Sequence, residues 1–314
     1  MTDKVLVTGG AGFVGSHVAD AYLEAGCEVT VLDDLSTGRR ERVPTAARFV
    51  QADVRSPEAR QLLATGGFTL LNHHAAQMDV RRSVADPVLD GSVNVIGLLN
   101  LLEGARAGGV RRVVFASSGG VVYGESAALP LAETAPKLPV SPYGAAKLAS
   151  EYYLATFAQL YDLETAALRY SNVYGPRQNA HGEAGVVAIF SGRILRGEPL
   201  TIYGDGDQTR DMVYVKDVAG ANLAASTRPL PPLTDLDARA FNVGTGIETS
   251  VNGLAAGLAA AAGRTPEIRR APARPGELRR SVLAVDKAAR LLGWRPRVTL
   301  AAGLQLTLRS VVED

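Results

Sequence analysis

Residues 4–17 read KVLVTGGAGFVGSH. The run passes from aliphatic residues, through regularly spaced glycines, into a stretch with helical apolar spacing. Val5, Leu6 and Val7 suit a short buried strand. Gly9, Gly12 and Gly15 follow with the spacing G-x-x-G-x-x-G, and VGSHVADAYLEAG then predicts a helix that Gly26 closes. So tight a turn needs residues without a Cβ. The helix leaving it presents backbone N–H groups at its N-terminus, where a pyrophosphate can sit.

The same alternation continues outward. CEVTVLDD from Cys27, ARFVQADV from Ala47, FTLLNHHAA from Phe68, RRVVFASS from Arg111 and ETAALRYSNVYG from Glu164 read as further strands, separated by helical patterns such as VNVIGLLNLLEGARAGG. Aliphatic strands alternating with helices predict an α/β fold with a parallel sheet covered on both faces. After Gly175 the rhythm changes: RPLPPLTDLDAR from Arg228 reads as a surface loop and FNVGTG from Phe241 as one more strand. The expected division is a nucleotide-binding domain over 1–175, with a returning segment near 210–245, and a mainly substrate-binding domain over 176–314.

Composition narrows the function. The chain has 314 residues, 46% of them apolar, enough for one large domain or two closely packed ones. With 33 basic and 32 acidic residues, its net charge of +1 gives no support to nucleic acid or an anionic membrane as partner. The single cysteine, Cys27, excludes an internal disulfide and fits a reducing compartment. MTDK runs directly into the first strand, so no signal peptide is expected. Apolar runs such as LAAGLAAAAG from Leu254 are too short to span a bilayer, and a cytoplasmic protein is the expectation.

The second strand ends at Asp33, 18 residues past Gly15. A carboxylate there accepts both hydroxyls of an adenosine ribose and repels a 2′-phosphate, so the reading is NAD over NADP. Arg39 and Arg40 are the features that favour a phosphate. Asp53, after the third strand, is either an adenine contact or a loop acid. His73 and His74 are adjacent on one strand and point to opposite faces, which argues against a shared metal, and no Cys/His cluster with metal spacing occurs. In SPYGAAKLASE, Tyr143 and Lys147 stand four residues apart and so share a helix face. A free phenol titrates near pH 10, according to its usual value. A neighbouring ammonium and a cationic nicotinamide favour the phenolate, and a serine from the fifth strand, Ser117 or Ser118, can bond the same substrate oxygen.

TGGAGFVGSH, LDDLSTG, FASSGGVVYGE, SPYGAAKLASE, LRYSNVYGPRQ and RDMVYVKDVA together carry a family resemblance. From Val5 to about Leu306 the chain resembles the extended short-chain dehydrogenase/reductases, in particular the UDP-glucose 4-epimerase-like group of NAD-dependent epimerases and dehydratases. The resemblance implies a Rossmann-type doubly wound parallel sheet with a smaller C-terminal α/β domain that binds the substrate. Many relatives have one residue fewer between the catalytic serine and the tyrosine matched by Tyr123. Ser118 is therefore favoured, with Ser117 second.

For the cofactor, the resemblance implies contacts from Gly9, Gly12, Phe13, Val14, Gly15, Asp33, Asp34, Leu35, Ser36, Thr37, Gly38, Asp53, Val54, His74, Ala75, Ala76, Gln77, Tyr143 and Tyr170. Lys147 would bond the nicotinamide ribose, and Asn94 would buttress the sheet edge. For a sugar nucleotide it implies Ser118, Tyr143, Asn172, Gly185, Val186 and Val187, with Arg210 and Arg274 clamping the pyrophosphate, Tyr203 stacking on the base and Glu277 holding its ribose.

The activity expected is sugar-nucleotide 4-epimerisation, interconverting UDP-glucose and UDP-galactose through a 4-keto sugar. Rivals are a UDP-glucuronate 4-epimerase, with Arg177 or Arg81 and Arg82 on the carboxylate, another UDP- or dTDP-sugar epimerase or dehydratase, and an NAD-binding redox sensor. The dehydratase needs acids at the end of the fifth strand, where the chain offers Gly119, Gly120 and Val121. Asp79, Glu125 and Glu183 are the acids to examine instead. The family also implies a homodimer through helices near 88–107 and 143–161, whose Leu98, Leu101, Leu148 and Leu154 serve either that interface or the core.

Overall fold

The computed structural model describes residues 3–125, 128–179, 185–273 and 278–313. The strands are β1 (Lys4–Thr8), β2 (Glu28–Asp33), β3 (Arg48–Gln51), β4 (Leu70–His73), β5 (Arg112–Ser118), β6 (Glu164–Tyr170), β7 (Asn172–Tyr174), β8 (Leu200–Tyr203), β9 (Thr209–Tyr214), β10 (Ala240–Val243), β11 (Glu248–Ser250) and β12 (Ile268–Ala271). The helices are α1 (Phe13–Glu24), α2 (Pro57–Thr65), α3 (Val80–Ala85), α4 (Pro87–Gly91), α5 (Gly97–Ala107), α6 (Pro142–Tyr161), α7 (Val186–Arg196), α8 (Val215–Thr227), α9 (Val251–Ala262), α10 (Asp286–Leu292) and α11 (Leu300–Glu313). A π-turn at Ser92–Ile96 joins α4 to α5 in one continuous rod.

Seven strands form one sheet in the order β10-β6-β5-β4-β1-β2-β3, every pairing parallel. Side chains alternate between two cores. One, under α1, α8 and α10, gathers Val5, Val7, Val31, Val114 and Leu168 with Val18, Tyr22 and Val218. The other, under α2, α5 and α6, gathers Leu6, Leu32, Leu71 and Phe115 with Leu63, Leu98, Leu101 and Leu154. Strand order reverses between β1 and β4, and at such a switch point the carboxyl ends of the strands open a crevice.

ETAALRYSNVYG is not one strand. The chain stays in the large sheet to Tyr170, where the Ser171 N–H bonds the Val243 carbonyl at 2.9 Å. It then leaves as β7, which pairs with β9 in a separate three-stranded sheet. That sheet, the β8–β12 pair, α7, α9 and α11 enclose a third core around Phe190, Ile202, Leu254 and Leu304. β10 lies beyond this departure in sequence but returns to the edge of the large sheet, beside β6.

Helix packing bears on two of these expectations. The helical rod over 87–107 is long and apolar enough to cross a membrane by length and composition, although its apolar residues are interrupted in sequence; 44% of its apolar window is buried in the protein. Leu98, Leu101 and Leu154 are core residues, 0%, 0% and 2% exposed, and Leu148 packs inward against Val122 and Tyr123. The outer face of the same helices instead shows Val88, Ile96, Tyr152, Tyr153 and Leu160 to solvent.

Candidate active site

The crevice at the switch point is built first by the glycine turn. Gly9 takes a φ of +68°, and a Cβ on it would stand 2.5 Å from the Ala75 backbone nitrogen. A Cβ on Gly15 would stand 2.2 Å from the Gly9 carbonyl oxygen. Only glycine lets β1, α1 and the end of β4 close this tightly. Gly12 starts α1 with no side-chain cap, so the first-turn amides at Phe13 and Val14 are left for an anion.

At the end of β2, Asp33 is buried, and its carboxylate accepts from the amides of Ala11 (3.0 Å) and Leu35 (2.9 Å). Burial pushes its carboxyl up, while the two amides hold it down. Each oxygen keeps acceptor capacity for a hydroxyl. Leu35 has a φ of 62°, and Gly38 presses against Asp33 and Ala11. Asp34 binds the amide and hydroxyl of Ser36, and Thr37 is exposed beside it. Together these residues form a polar cradle at the end of β2. Asp53 is held by the Arg55 guanidinium, which keeps its carboxyl below the usual range. Val54 turns its side chain into the core.

After β4, the half-buried Ala75 and Ala76 lead to Gln77, which is tied to Asn94. The Gln77 N–H donates to Asn94 Oδ1 at 3.0 Å, and Asn94 Nδ2 donates to the Gln77 carbonyl (2.9 Å) and to Asp90 (3.0 Å). Asn94 thus fastens the β4 loop to the π-turn. His73 and His74 part as expected. His73 shares a hydrogen bond with Thr8 on the α6 side, whereas His74 meets Tyr170 on the α1 side.

Helix α6 begins at Ser141, whose side chain accepts from the Gly144 amide, followed by Pro142 at its first turn. This cap sets Tyr143, Lys147 and Glu151 on one stripe. Lys147 is 3% exposed, donates to the Ala116 carbonyl at 2.8 Å and has its Nζ 5.7 Å from the centre of the Tyr143 ring. Burial lowers its pKa to about 8, against the pull of Asp90 and Glu151 toward the charged form. The half-buried Tyr143 phenol is pushed up by burial and by the Asp90 carboxylate. Tyr143 therefore needs further positive charge before it can act as a base.

The two serines separate cleanly. Ser117 lies on the α6 face, and its hydroxyl donates to Glu151 at 2.5 Å. Ser118 lies opposite Tyr170 in register, half-buried at the strand end, and its hydroxyl has no hydrogen bond among the described residues. The extra glycine after it forms a turn that folds the Val121 and Val122 amides back onto the Ser118 carbonyl.

The described residues expected to bind a sugar nucleotide lie on the elements around the third core. Asn172 is exposed at the start of β7, Gly185 and Val186 open α7 without a side-chain cap, and Tyr203 and Arg210 stand on β8 and β9. Val187 is a correction: its side chain is fully buried in that core, which leaves only its backbone for a ligand. Arg274, Glu277 and Glu183 lie outside the described residues. Arg177 is engaged elsewhere, bonded to Asp20 (2.7 Å) and Ser16 on α1. Asp79 caps α3 and Glu125 is exposed. Among the described residues no cluster of potential ligands could hold a metal.

A family model described as the NAD dependent epimerase/dehydratase family matches residues 5–244. The chain belongs to this family. The similarity extends over the whole molecule. A UDP-glucose 4-epimerase of Mycolicibacterium smegmatis is 46% identical, with 97% of each chain covered. The structure of a Thermotoga maritima UDP-glucose 4-epimerase with UDP-glucose superposes with a TM-score of 0.94 at 44% identity, covering 99% of each chain. A Thermus thermophilus UDP-glucose 4-epimerase in complex with NAD gives 0.89 at 47% identity, covering 98% of each.

The sequence reading missed the groups that hold this family's Tyr-Lys pair in place here. Buried Arg169 clasps Glu151 (2.6 Å from Nη2), Tyr123 (3.0 Å) and Asp237 (2.8 Å). Buried Asp90 receives Gln77 and Asn94 next to the pair. The interval from Lys147 to Glu151 repeats that from Tyr143 to Lys147 and could have flagged Glu151; nothing local marks Arg169 or Asp90.

Proposed function

We propose that this chain is a UDP-glucose 4-epimerase that works with tightly held NAD in the cytoplasm. One arrangement carries the reading: Tyr143 and Lys147 share a face of α6 at the switch-point crevice, with an uncommitted Ser118 hydroxyl at the neighbouring strand end. The similar enzymes named above, one bound to UDP-glucose and another to NAD, support the substrate and cofactor.

The cradle fits NAD: α1 offers uncapped amides to the pyrophosphate, Asp33 meets the adenosine ribose, and Lys147 reaches the other ribose. NAD, when bound, supplies a hydride acceptor at sugar C4 and a positive ring beside the phenol. Lys147 lowers the Tyr143 pKa by its charge, and Tyr143 takes the proton of the 4-hydroxyl while Ser118 steadies that oxygen. Arg210 and Arg274 hold the pyrophosphate while the 4-keto sugar turns over, and Tyr203, Glu277 and Asn172 fix the nucleotide end. The uronate alternative loses a candidate cation, because Arg177 is held on α1. Dehydration lacks an acid next to Ser118 in the sequence, where Gly119, Gly120 and Val121 stand. Incubation with UDP-glucose in heavy water is expected to give UDP-galactose without deuterium at C5. Accumulation of a 6-deoxy-4-keto sugar nucleotide would overturn the reading.

Asp33 sets the cofactor preference. A 2′-phosphate brought against its carboxylate would meet like charge, so NAD should bind more tightly than NADP in direct titration, and Asp33→Arg should weaken NAD binding. Tighter NADP binding by the unmodified protein would contradict this.

The apolar outer face of α4, α5 and α6 supports a homodimer. Val88, Ile96, Tyr152 and Leu160 are 81%, 56%, 57% and 65% exposed on neighbouring helices, an apolar patch characteristic of an interface. Sedimentation at micromolar concentration should give the mass of two chains, and Ile96→Glu with Leu160→Glu should halve it.

A further inference from the structure

The glycine after Ser118 has a packing reason that lies far away in the chain. A Cβ on Gly119 would stand 2.6 and 2.9 Å from the two Leu283 methyl carbons, closer than real side chains approach. Gly119 does not adopt the left-handed backbone that requires glycine in its own right, so its missing side chain answers to space. Its N–H donates to the Tyr170 carbonyl at 2.8 Å, which ties the backbone beside Ser118 to β6. Leu283 is 1% exposed and lies in a small fourth core with Val122, Tyr123 and Leu131, against which Leu148 of α6 also packs. That core therefore joins the turn after Ser118 to the helix that carries Tyr143 and Lys147. Residues 278–284 bring Leu283 there as a strap from the third core. Arg279 clasps Asp205 through two bonds of 2.8 Å, and its carbonyl accepts from the Thr209 N–H at 3.0 Å. Arg280 holds Glu248, and the Leu283 N–H donates to buried Asp211 at 3.3 Å, which also receives the Thr245 and Gly246 amides. On the other side the Leu131 N–H donates to the Val282 carbonyl at 2.9 Å and the Ala284 N–H to the Leu131 carbonyl at 2.8 Å. A side chain whose backbone is pinned on both sides has little freedom to withdraw from Gly119.

We propose that Leu283 is a positioning residue for Ser118: it fills the space that Gly119 leaves and fixes the end of β5 against α6. The inference deepens the function proposed above and rests on its reading of Ser118 as the hydroxyl that meets the substrate oxygen. Two hydroxyls, one from β5 and one from α6, must reach the same oxygen. Such a geometry is steep in distance, and a misplacement of about 1 Å can cost on the order of 10²-fold in rate. Close-packed hydrocarbon holds it because an interior without voids passes displacement from one element to the next.

Initial rates on UDP-glucose with the NAD-loaded protein test this. Gly119→Ala should lower kcat about tenfold or more and leave KM within about threefold, because Arg279, Arg280 and Asp211 hold the strap independently. Adding Leu283→Ala removes the methyls that clash, and the double variant should recover most of the lost rate. What remains is the approach of the new methyl to the Arg169 carbonyl oxygen, 3.3 Å away. Leu283→Val, a smaller cut, should give the same rescue in smaller measure should the Leu283→Ala pair fail to fold. In a Ser118→Ala background the cost of Gly119→Ala should shrink to less than about threefold, since the group through which it acts is gone. Denaturant unfolding gives the folded fraction, so that each rate refers to folded enzyme. A purely structural pair would move the unfolding midpoint and leave kcat of the folded enzyme unchanged, and that result overturns the proposal. So does a Gly119→Ala cost that is equal with and without the Ser118 hydroxyl. If Ser118→Ala alone turned over at the original rate, the reading of Ser118 would fall and this inference with it, an outcome distinct from a Gly119→Ala variant that ignores Leu283.

Discussion

Tyr143→Phe is expected to lower turnover by about 10³-fold or more while leaving NAD bound, a loss within the range of a deleted general base. The substitution keeps the ring, and with it the contacts on α6, and removes only the hydroxyl proposed to take the substrate proton. Among the described residues nothing beside it can substitute. Ser118 has a hydroxyl of much higher pKa, the Ser117 hydroxyl is committed to Glu151, and Lys147 is engaged with the Ala116 carbonyl. In the folded chain burial raises the Tyr143 phenol, so under the proposed mechanism the base should form only where Lys147 and the cofactor ring are both in place. Coupled detection of UDP-galactose gives the rate, and cofactor released on denaturation gives the occupancy. A variant that retained turnover within about tenfold of the original would remove Tyr143 from the mechanism.

Glu151→Gln is expected to destabilise the protein by about 3–5 kcal/mol, the usual cost of breaking one side of a buried ion pair. Arg169 is 0% exposed, and Glu151 receives its Nε and Nη2. With an amide in that place the guanidinium keeps, among the described residues, only Asp237 as a charged partner. Ser117 also loses a charged acceptor, which loosens the strand end that carries Ser118. Denaturant unfolding measures the change. The paired replacement Glu151→Met with Arg169→Met should cost less than Glu151→Gln alone, because no buried charge is stranded. If the single variant unfolded at the original denaturant midpoint, Glu151 and Arg169 would not be the positioning network described here. Its effect on catalysis should follow stability and the alignment of α6, leaving NAD preference unchanged.

Much of this architecture can be read from local patterns, because local physics dictates it. The turn at Gly9, Gly12 and Gly15 is legible since only glycine tolerates such backbone approach. Asp33 is legible since it ends a strand at the edge where that turn opens. Tyr143 and Lys147 are legible since a helix places i and i+4 on one face. Strand and helix order along 1–170 follows from apolar periodicity, and a parallel sheet is the one arrangement that buries such strands on both faces.

Other features depend on contacts between segments distant in sequence, which periodicity does not encode. LRYSNVYG looks like one strand, but the chain changes sheets at Ser171 because β10 ends beside it and β9 offers a new edge. Leu98, Leu101 and Leu154 are apolar on either reading, and only helix packing assigned them to the core and left Val88, Ile96 and Leu160 outside. Ser117 and Ser118 are identical residues one position apart, and the pleat turned one to Glu151 and left the other at the crevice. The Arg169 cluster joins positions 123, 151, 169 and 237, and a line of buried hydrogen bonds joins 72, 74, 170 and 222. Such networks arise where buried polar groups must find partners, and those partners are chosen by the tertiary fold.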